Sequence, residues 1–312
     1  MYLITGGAGF IGSNLAQALV RDGERVRIFD NLSSGTLDNL GPVRDQVEIV
    51  EGDLRDEAAV RRAMQGVTYV AHQGALRSVE RSVDDPLSSD AVNVHGTLHV
   101  LTAARDTPGV KRVVYASSSS VYGDNPALPK MEDQTPAPVS PYAVSKLAAE
   151  HYCRVFSKLY GVETVSLRYF NVFGPYQSPE SRYAAVIPLF MRAAFEGTPL
   201  EIHGDGEQSR DFTYIDNVVH ANRLALTTPG VAGEVFNVAC NERHSLLDIV
   251  AGLERLIGRT LARNHVAPRR GDVRHTQAGI DRISQKLDFR PSVGFDDGLR
   301  RTWEWFKAAQ SR

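Results

Sequence analysis

Thr5-Gly6-Gly7-Ala8-Gly9-Phe10-Ile11-Gly12 is the stretch from which the fold can be read. The apolar run Tyr2-Leu3-Ile4 precedes it, and a pattern of helical length over 11–21 follows. Gly7, Gly9 and Gly12 satisfy G-x-G-x-x-G; Gly6, Gly9 and Gly12 satisfy G-x-x-G-x-x-G. Glycines there permit a tight turn and let the backbone approach a pyrophosphate, which the N–H groups and dipole of the helix N-terminus then hold. Alone such a motif says little; a strand before it and a helix after it give it meaning.

Outward from this turn, short apolar runs alternate with amphipathic patterns. Strands are expected over 2–5, 26–29, 47–51, 69–72, 112–117 and 164–168, and helices over 11–21, 57–64, 90–104 and 142–160. Strand–helix alternation implies parallel βαβ units with helices on both faces. Composition shifts after Gly174-Pro175, where a loop of Gln, Ser, Pro and Glu leads to a helix-like stretch over 185–196. A strand-like run over 235–239 is expected to return to the first sheet, and the tail from 246 to 312 reads as short helices and turns. The fold class is therefore α/β: a Rossmann-type doubly wound parallel sheet with a second, smaller C-terminal α/β substrate domain. Residues 1–172, with 212–240, are assigned to the first domain; 173–211 and 241–312 to the second.

The chain has 312 residues, 42% of them hydrophobic, enough for one large core or two smaller ones. A formal net charge of -2 points to no nucleic-acid or membrane surface. No apolar run is long enough for a bilayer, and strand-like residues begin directly after Met1, which leaves no space for a signal peptide. Two cysteines, Cys153 and Cys240, are read as free thiols in a reducing cytoplasm rather than as a disulfide. His95 and His99 share a helix face without a third ligand, so no metal site is expected.

Asp30 ends the second strand about twenty residues past the glycines, where a carboxylate accepts hydrogen bonds from the adenosine ribose. It would repel a 2′-phosphate, and no arginine follows in Asn31-Leu32-Ser33-Ser34, which favours NAD over NADP. Asp53 either reaches the adenine or caps the helix that follows. Tyr142 and Lys146 stand four apart, on one helix face, and an ammonium near a phenol favours its ionised form. Upstream, a strand ends in Ser117-Ser118-Ser119-Ser120-Val121-Tyr122-Gly123, and strand ends in such sheets face the ligand crevice.

Taken together, residues 5–12, Asp30, 117–123 and the pair Tyr142 and Lys146 resemble the extended short-chain dehydrogenase/reductases over nearly the whole chain. That resemblance includes residues 168–175 and 210–216; within the family the sequence is most similar to the UDP-glucose and UDP-N-acetylglucosamine 4-epimerases, through residues 183–188, 204–210 and 271–276. The resemblance implies a UDP-sugar 4-epimerase that abstracts a hydride from sugar C4 onto NAD, lets the 4-keto sugar rotate and returns the hydride. It assigns Tyr142 as acid–base, Lys146 as its partner and the nicotinamide-ribose ligand, and Ser118, four before Tyr122, as the catalytic hydroxyl, with Ser117 and Ser119 as neighbouring registers. The cofactor set it implies is Gly6, Gly9, Phe10, Ile11, Gly12, Asp30, Asn31, Ser33, Ser34, Gly35, Asp53, Leu54, Gln73, Ala75, Arg77, Asn93, Ser117, Tyr142, Lys146 and Tyr169. For the UDP-sugar it implies Ser118, Ser119, Ser120 and Tyr142 at the sugar. Asn171, Arg210 and Arg269 (or Arg270) fall at the diphosphate, Asp272 at the uridine ribose, and Ala185, Val186, Ile202 and His203 around the uracil. Thr276 would border the sugar and, being small, leave room for a 2-acetamido group. A homodimer built from the helices around 90–104 and 142–160 is also implied. The alternatives are a UDP-glucuronate 4-epimerase or decarboxylase, a nucleotide-sugar 4,6-dehydratase, and a non-catalytic NAD-binding regulator. Dehydratases carry an acidic pair where this chain has Ser119 and Ser120, and the regulator reading sits poorly with an intact Tyr–Lys pair.

Overall fold

The computed structural model describes residues 1–180, 184–268 and 273–310. The glycine turn joins β1 (Tyr2–Thr5) to α1 (Phe10–Arg21), and the alternation continues through β2 (Val26–Asp30), β3 (Glu48–Glu51), α2 (Glu57–Ala63) and β4 (Tyr69–His72). Next come α3 (Val79–Asp84), α4 (Pro86–Asp90), α5 (Gly96–Asp106), β5 (Arg112–Ser118), α6 (Pro141–Tyr160) and β6 (Glu163–Tyr169). Past β6 lie β7 (Val172–Phe173), α7 (Val186–Glu196), β8 (Leu200–His203), β9 (Ser209–Arg210), β10 (Thr213–Tyr214), α8 (Ile215–Thr227) and β11 (Glu234–Val238). The chain closes with β12 (His244–Ser245), α9 (Leu246–Ile257), β13 (Arg263–Val266), α10 (Asp281–Leu287) and α11 (Phe295–Gln310).

Seven strands form one parallel sheet in the order β11-β6-β5-β4-β1-β2-β3. The order reverses between β1 and β4, which opens a crevice at the carboxyl ends of those strands. Alternation along β5 shows how the two faces are built. Val113 and Tyr115 join a core with Ala149, Cys153 and Phe156 of α6, whereas Val114 and Ala116 join the opposite core with Val218, Ala221 and Ala225 of α8. Burying one such large side chain stabilises by roughly 1.5–3 kcal/mol. Outside the sheet, β8 pairs in parallel with β13, and α7, α9 and α11 pack together beside them.

The helix expected over 90–104 is present: α4, a π-turn at Ala91–His95 and α5 follow one another without a break, with Asp90, Ala91, His95 and Gly96 all in the right-handed helical region. One expectation needs correction: the tail is not made only of short pieces, since α11 runs for 16 residues and buries Leu299, Trp303 and Phe306. Among the described residues no helix is long and apolar enough to cross a membrane. Cys153 and Cys240 are both free thiols.

Candidate active site

The crevice above β1, β2 and β4 is a cleft of about 130 Å³ lined by Gly6, Gly9, Phe10, Ile11, Gly12, Asp30, Asn31, Ser33, Ser34, Asp53, Leu54, Gln73, Ala75 and Arg77, among others. Gly12 has no alternative: a Cβ on it would lie 2.3 Å from the Gly6 carbonyl oxygen and 2.7 Å from Gly7 Cα. Gly35 packs on the back of the turn, where a Cβ would lie 2.6 Å from the Ala8 carbonyl carbon. Helix α1 has glycine, Gly9, at its N-cap and no side-chain cap, so its first N–H groups are left for an anion. Asp30 accepts from the N–H of Ala8 at 3.0 Å and of Leu32 at 2.9 Å, one on each oxygen, and each oxygen keeps a second lone pair for a ribose hydroxyl. These features fit a dinucleotide.

Asp53 bonds Asn31 Nδ2 at 2.8 Å and pairs with Arg55, whose hydrogen bonds hold its carboxyl well below the usual carboxylate range. The cap of α2 belongs to Asp56 instead. Gln73 Nε2 donates to the Tyr169 hydroxyl at 3.1 Å and to Asn222 Oδ1 at 3.0 Å, so Tyr169 is held to the cleft floor through Gln73. Asn93 sits in the π-turn, buried. Its Oδ1 accepts from Leu76 N–H at 2.8 Å, and its Nδ2 donates to Leu76 O and to Ser145 Oγ, both at 3.0 Å. It therefore pins the 75–77 loop to α6, with its side chain committed there.

Helix α6 opens on Ser140, whose side chain accepts from Ala143 N–H, with Pro141 at the first helical position. That start places Tyr142 and Lys146 over the ends of β5 and β6. Burial raises the pKa of the Tyr142 phenol, and its interactions with nearby Ser118 and with the charge of Arg77 pull it back. Lys146 does not sit at the phenol oxygen as the spacing alone implies. Its Nζ donates to the Ala116 carbonyl at 2.9 Å and lies 5.9 Å from the Tyr142 ring centre, and burial pushes its pKa down to about 7.

Ser118 accepts from Ser120 N–H at 3.2 Å and from Ser120 Oγ at 2.9 Å, which leaves its own proton to donate. Ser119 opens the 3-10 turn Ser119–Tyr122. The expectation for Ser117 is corrected: its hydroxyl points under α6 and donates to Glu150 Oε2 at 2.8 Å, away from the cleft.

A second cavity, of about 490 Å³, runs along α7 and is lined by Asn171, Ala185, Val186, His203 and Arg210, among others. Asn171 holds φ at +30°, a left-handed conformation that asparagine tolerates better than most residues. Arg210 is aimed by bonds from Nη1 to Ser209 O at 2.9 Å and Arg274 O at 3.2 Å. Ile202 is corrected: strand alternation turns it fully into the core, and Glu201 and His203 line the cavity in its place. Gln177 and Arg192 also line it and carried no motif that sequence reasoning recognised; Gln208 lines it too, from within the 204–210 motif but with no role assigned to it. Thr276 donates its N–H to Ser209 O at 3.0 Å, and its Oγ1 is buried without a hydrogen-bond partner among the described residues. Arg269, Arg270 and Asp272 lie outside the described residues.

Fold and cleft together define a Rossmann-type nucleotide-binding protein. More particularly, the chain belongs to the NAD dependent epimerase/dehydratase family, whose sequence profile matches residues 2–239, and so to the extended short-chain dehydrogenase/reductases. It is 37% identical over 309 residues to the UDP-glucose 4-epimerase of Mycolicibacterium smegmatis, covering 98% of each chain. Among solved structures it is similar to the UDP-N-acetylglucosamine 4-epimerase from Methanobrevibacter ruminantium in complex with UDP-N-acetylmuramic acid. The TM-score is 0.94 and the identity 38%, over 99% of this chain and 98% of that one. It is also similar to the UDP-glucuronic acid 4-epimerase from Bacillus cereus in complex with UDP-glucuronic acid and NAD (TM-score 0.90, 33% identity, 99% of both chains).

Proposed function

We propose that the protein is an NAD-dependent UDP-sugar 4-epimerase, acting on the UDP-glucose/UDP-galactose pair and on the N-acetylated pair. The observation that carries this reading is the buried Tyr142 phenol, which feels both Ser118 and the charge of Arg77 on the wall of the dinucleotide cleft, together with a separate cavity that holds Asn171 and Arg210. Residues 1–172 with 212–240 would hold the cofactor, and 173–211 with 241–312 the UDP-sugar. Bound NAD would accept a hydride from sugar C4 and give it back. Tyr142 takes the proton of the C4 hydroxyl and returns it; Ser118 donates to the same oxygen and fixes its position. Lys146, held on the Ala116 carbonyl, keeps two further N–H bonds for the cofactor's ribose. Arg210 and Asn171 grip the diphosphate while the sugar turns, and the arginine fork suits phosphate oxygens. With Ser119 and Ser120 after Ser118, no acid stands in sequence where a dehydratase would need one. A reducing, cytoplasmic setting accords with the two free thiols. We further read the working unit as a homodimer.

The test is incubation with UDP-glucose, UDP-N-acetylglucosamine and UDP-glucuronate, with separation of C4 epimers. Wild-type protein is expected to interconvert the first two pairs. Thr276→Tyr is expected to lose the N-acetylated pair and keep UDP-galactose, because a packed wall yields an acetyl group's volume only at a cost. Turnover of UDP-glucuronate alone would replace this reading with that of a uronate epimerase.

A further inference from the structure

Below the active site, Glu150 and Arg168 form an ion pair that the chemistry above does not use. Both are buried, at 2% and 3% exposure. Arg168 reaches Glu150 through Nη2 to Oε1 at 2.6 Å and Nε to Oε2 at 3.0 Å, and Ser117 donates to the same Oε2 at 2.8 Å. Arg168 Nη1 has no hydrogen-bond partner among the described residues, and the guanidinium lies 4.8 Å from the Tyr122 ring centre. A buried pair of this kind is weak evidence of stability, because apolar residues of equal volume fill such a site as well or better. What it adds is direction.

Tyr142, Lys146 and Glu150 follow one another at steps of four along one face of α6. All three face the end of β5: Lys146 donates to the Ala116 carbonyl, Glu150 accepts from the Ser117 hydroxyl, and the Tyr142 phenol interacts electrostatically with Ser118. Arg168 ties the third of these contacts to β6, where Ser117 is the register partner of Arg168 and Ser118 that of Tyr169. The two contacts made by reacting residues thus continue into a third that is out of reach of substrate.

We propose that Glu150, held by Arg168, is a positioning residue for this reaction: through Ser117 it sets the register of β5 against α6 that brings Ser118 to the Tyr142 phenol. The inference rests on the epimerase reading for its kinetics but not for its geometry. Acid–base partners lose rate steeply on small displacements, up to about a hundredfold for about 1 Å.

The test compares Ser117→Ala and Ser117→Thr with wild type, all loaded with NAD; neither substitution removes the ion pair. Ser117→Ala is expected to lower kcat about ten- to a hundredfold and leave KM within about twofold. It should also raise the apparent pKa of the Tyr142 phenol, followed by ultraviolet difference titration against Tyr142→Phe. Ser117→Thr keeps the hydroxyl and is expected to recover both kcat and the phenol titration. Wild-type kcat and titration in Ser117→Ala, or a threonine variant as impaired as the alanine one, would overturn the proposal. If wild-type protein turns over no UDP-sugar the epimerase reading fails, while the titration still decides the role of Glu150.

Discussion

Tyr142 and Ser118 are the pair expected to carry the chemistry, and the phenol sits where burial opposes its ionisation while Ser118 eases it. Changing Tyr142 to Phe keeps the ring's packing and deletes the proton carrier. Turnover is expected to fall about 10²–10⁴-fold, while UDP affinity, measured by calorimetry, should stay near wild type because Asn171 and Arg210 lie elsewhere in the crevice. Near-normal turnover in Tyr142→Phe would move the acid–base role to another residue. At this scale the sequence showed residue types and spacing but not direction. The four-residue step from Tyr142 to Lys146 places both on one face, yet it does not say that the ammonium will settle on the Ala116 carbonyl. Ser117 and Ser118 are indistinguishable as letters; strand alternation sends one under α6 and leaves the other at the crevice. Glu150 could have been picked out as the next residue on the catalytic face, but its partner Arg168 is close only once β6 pairs with β5.

Among the elements, the glycine turn is the most constrained. Gly12→Ala places a methyl 2.3 Å from the Gly6 carbonyl oxygen, which only backbone movement can relieve. We expect the variant to lose bound NAD and to be destabilised by about 1–3 kcal/mol. Nucleotide release on denaturation and urea unfolding check the two effects, and full NAD content would show that the turn tolerates the shift. Elements of strong periodicity were legible. The seven sheet strands fall within one or two residues of their expected places, because runs such as Val113–Ala116 are apolar on both faces and have no other stable use. The π-turn at Ala91–His95 was not legible, since the residues 90–104 keep a helical pattern throughout. Its cause is tertiary: Asn93 must reach Leu76 on one side and Ser145 on the other.

The whole molecule leaves an apolar surface exposed. On α3 and α4 it includes Val79, Val83 and Leu87, the last 81% exposed, and on α6 Val144, Val155 and Leu159, the last 67% exposed. Contiguous apolar area of this kind marks an interface, which is the basis for expecting a symmetric dimer. Leu87→Glu combined with Leu159→Glu should sediment as a folded monomer, and wild type as a dimer. A wild-type protein that sediments as a monomer at micromolar concentration would refute this. The crevice between the sheet and the α7 cavity was foreseeable from topology, since ligands of such sheets bind where strand order reverses. The wall residues Gln177 and Arg192 were not, because they converge from separate segments only in the folded chain.

The seventh strand has a consequence for how the protein is made. β6 ends at Tyr169, but β11, which covers its outer edge, begins only at Glu234. At a ribosomal pace of about 5–20 residues per second, that interval lasts roughly 3–13 seconds. Throughout it the N–H and C=O groups of β6 stand open on a nascent sheet whose Val165 and Leu167 are destined for the core. An uncovered apolar edge is a template for pairing with another chain. Slowed synthesis between residues 170 and 233 therefore lengthens the exposure of that edge, and chaperone demand should rise with the delay rather than with any change in the finished fold.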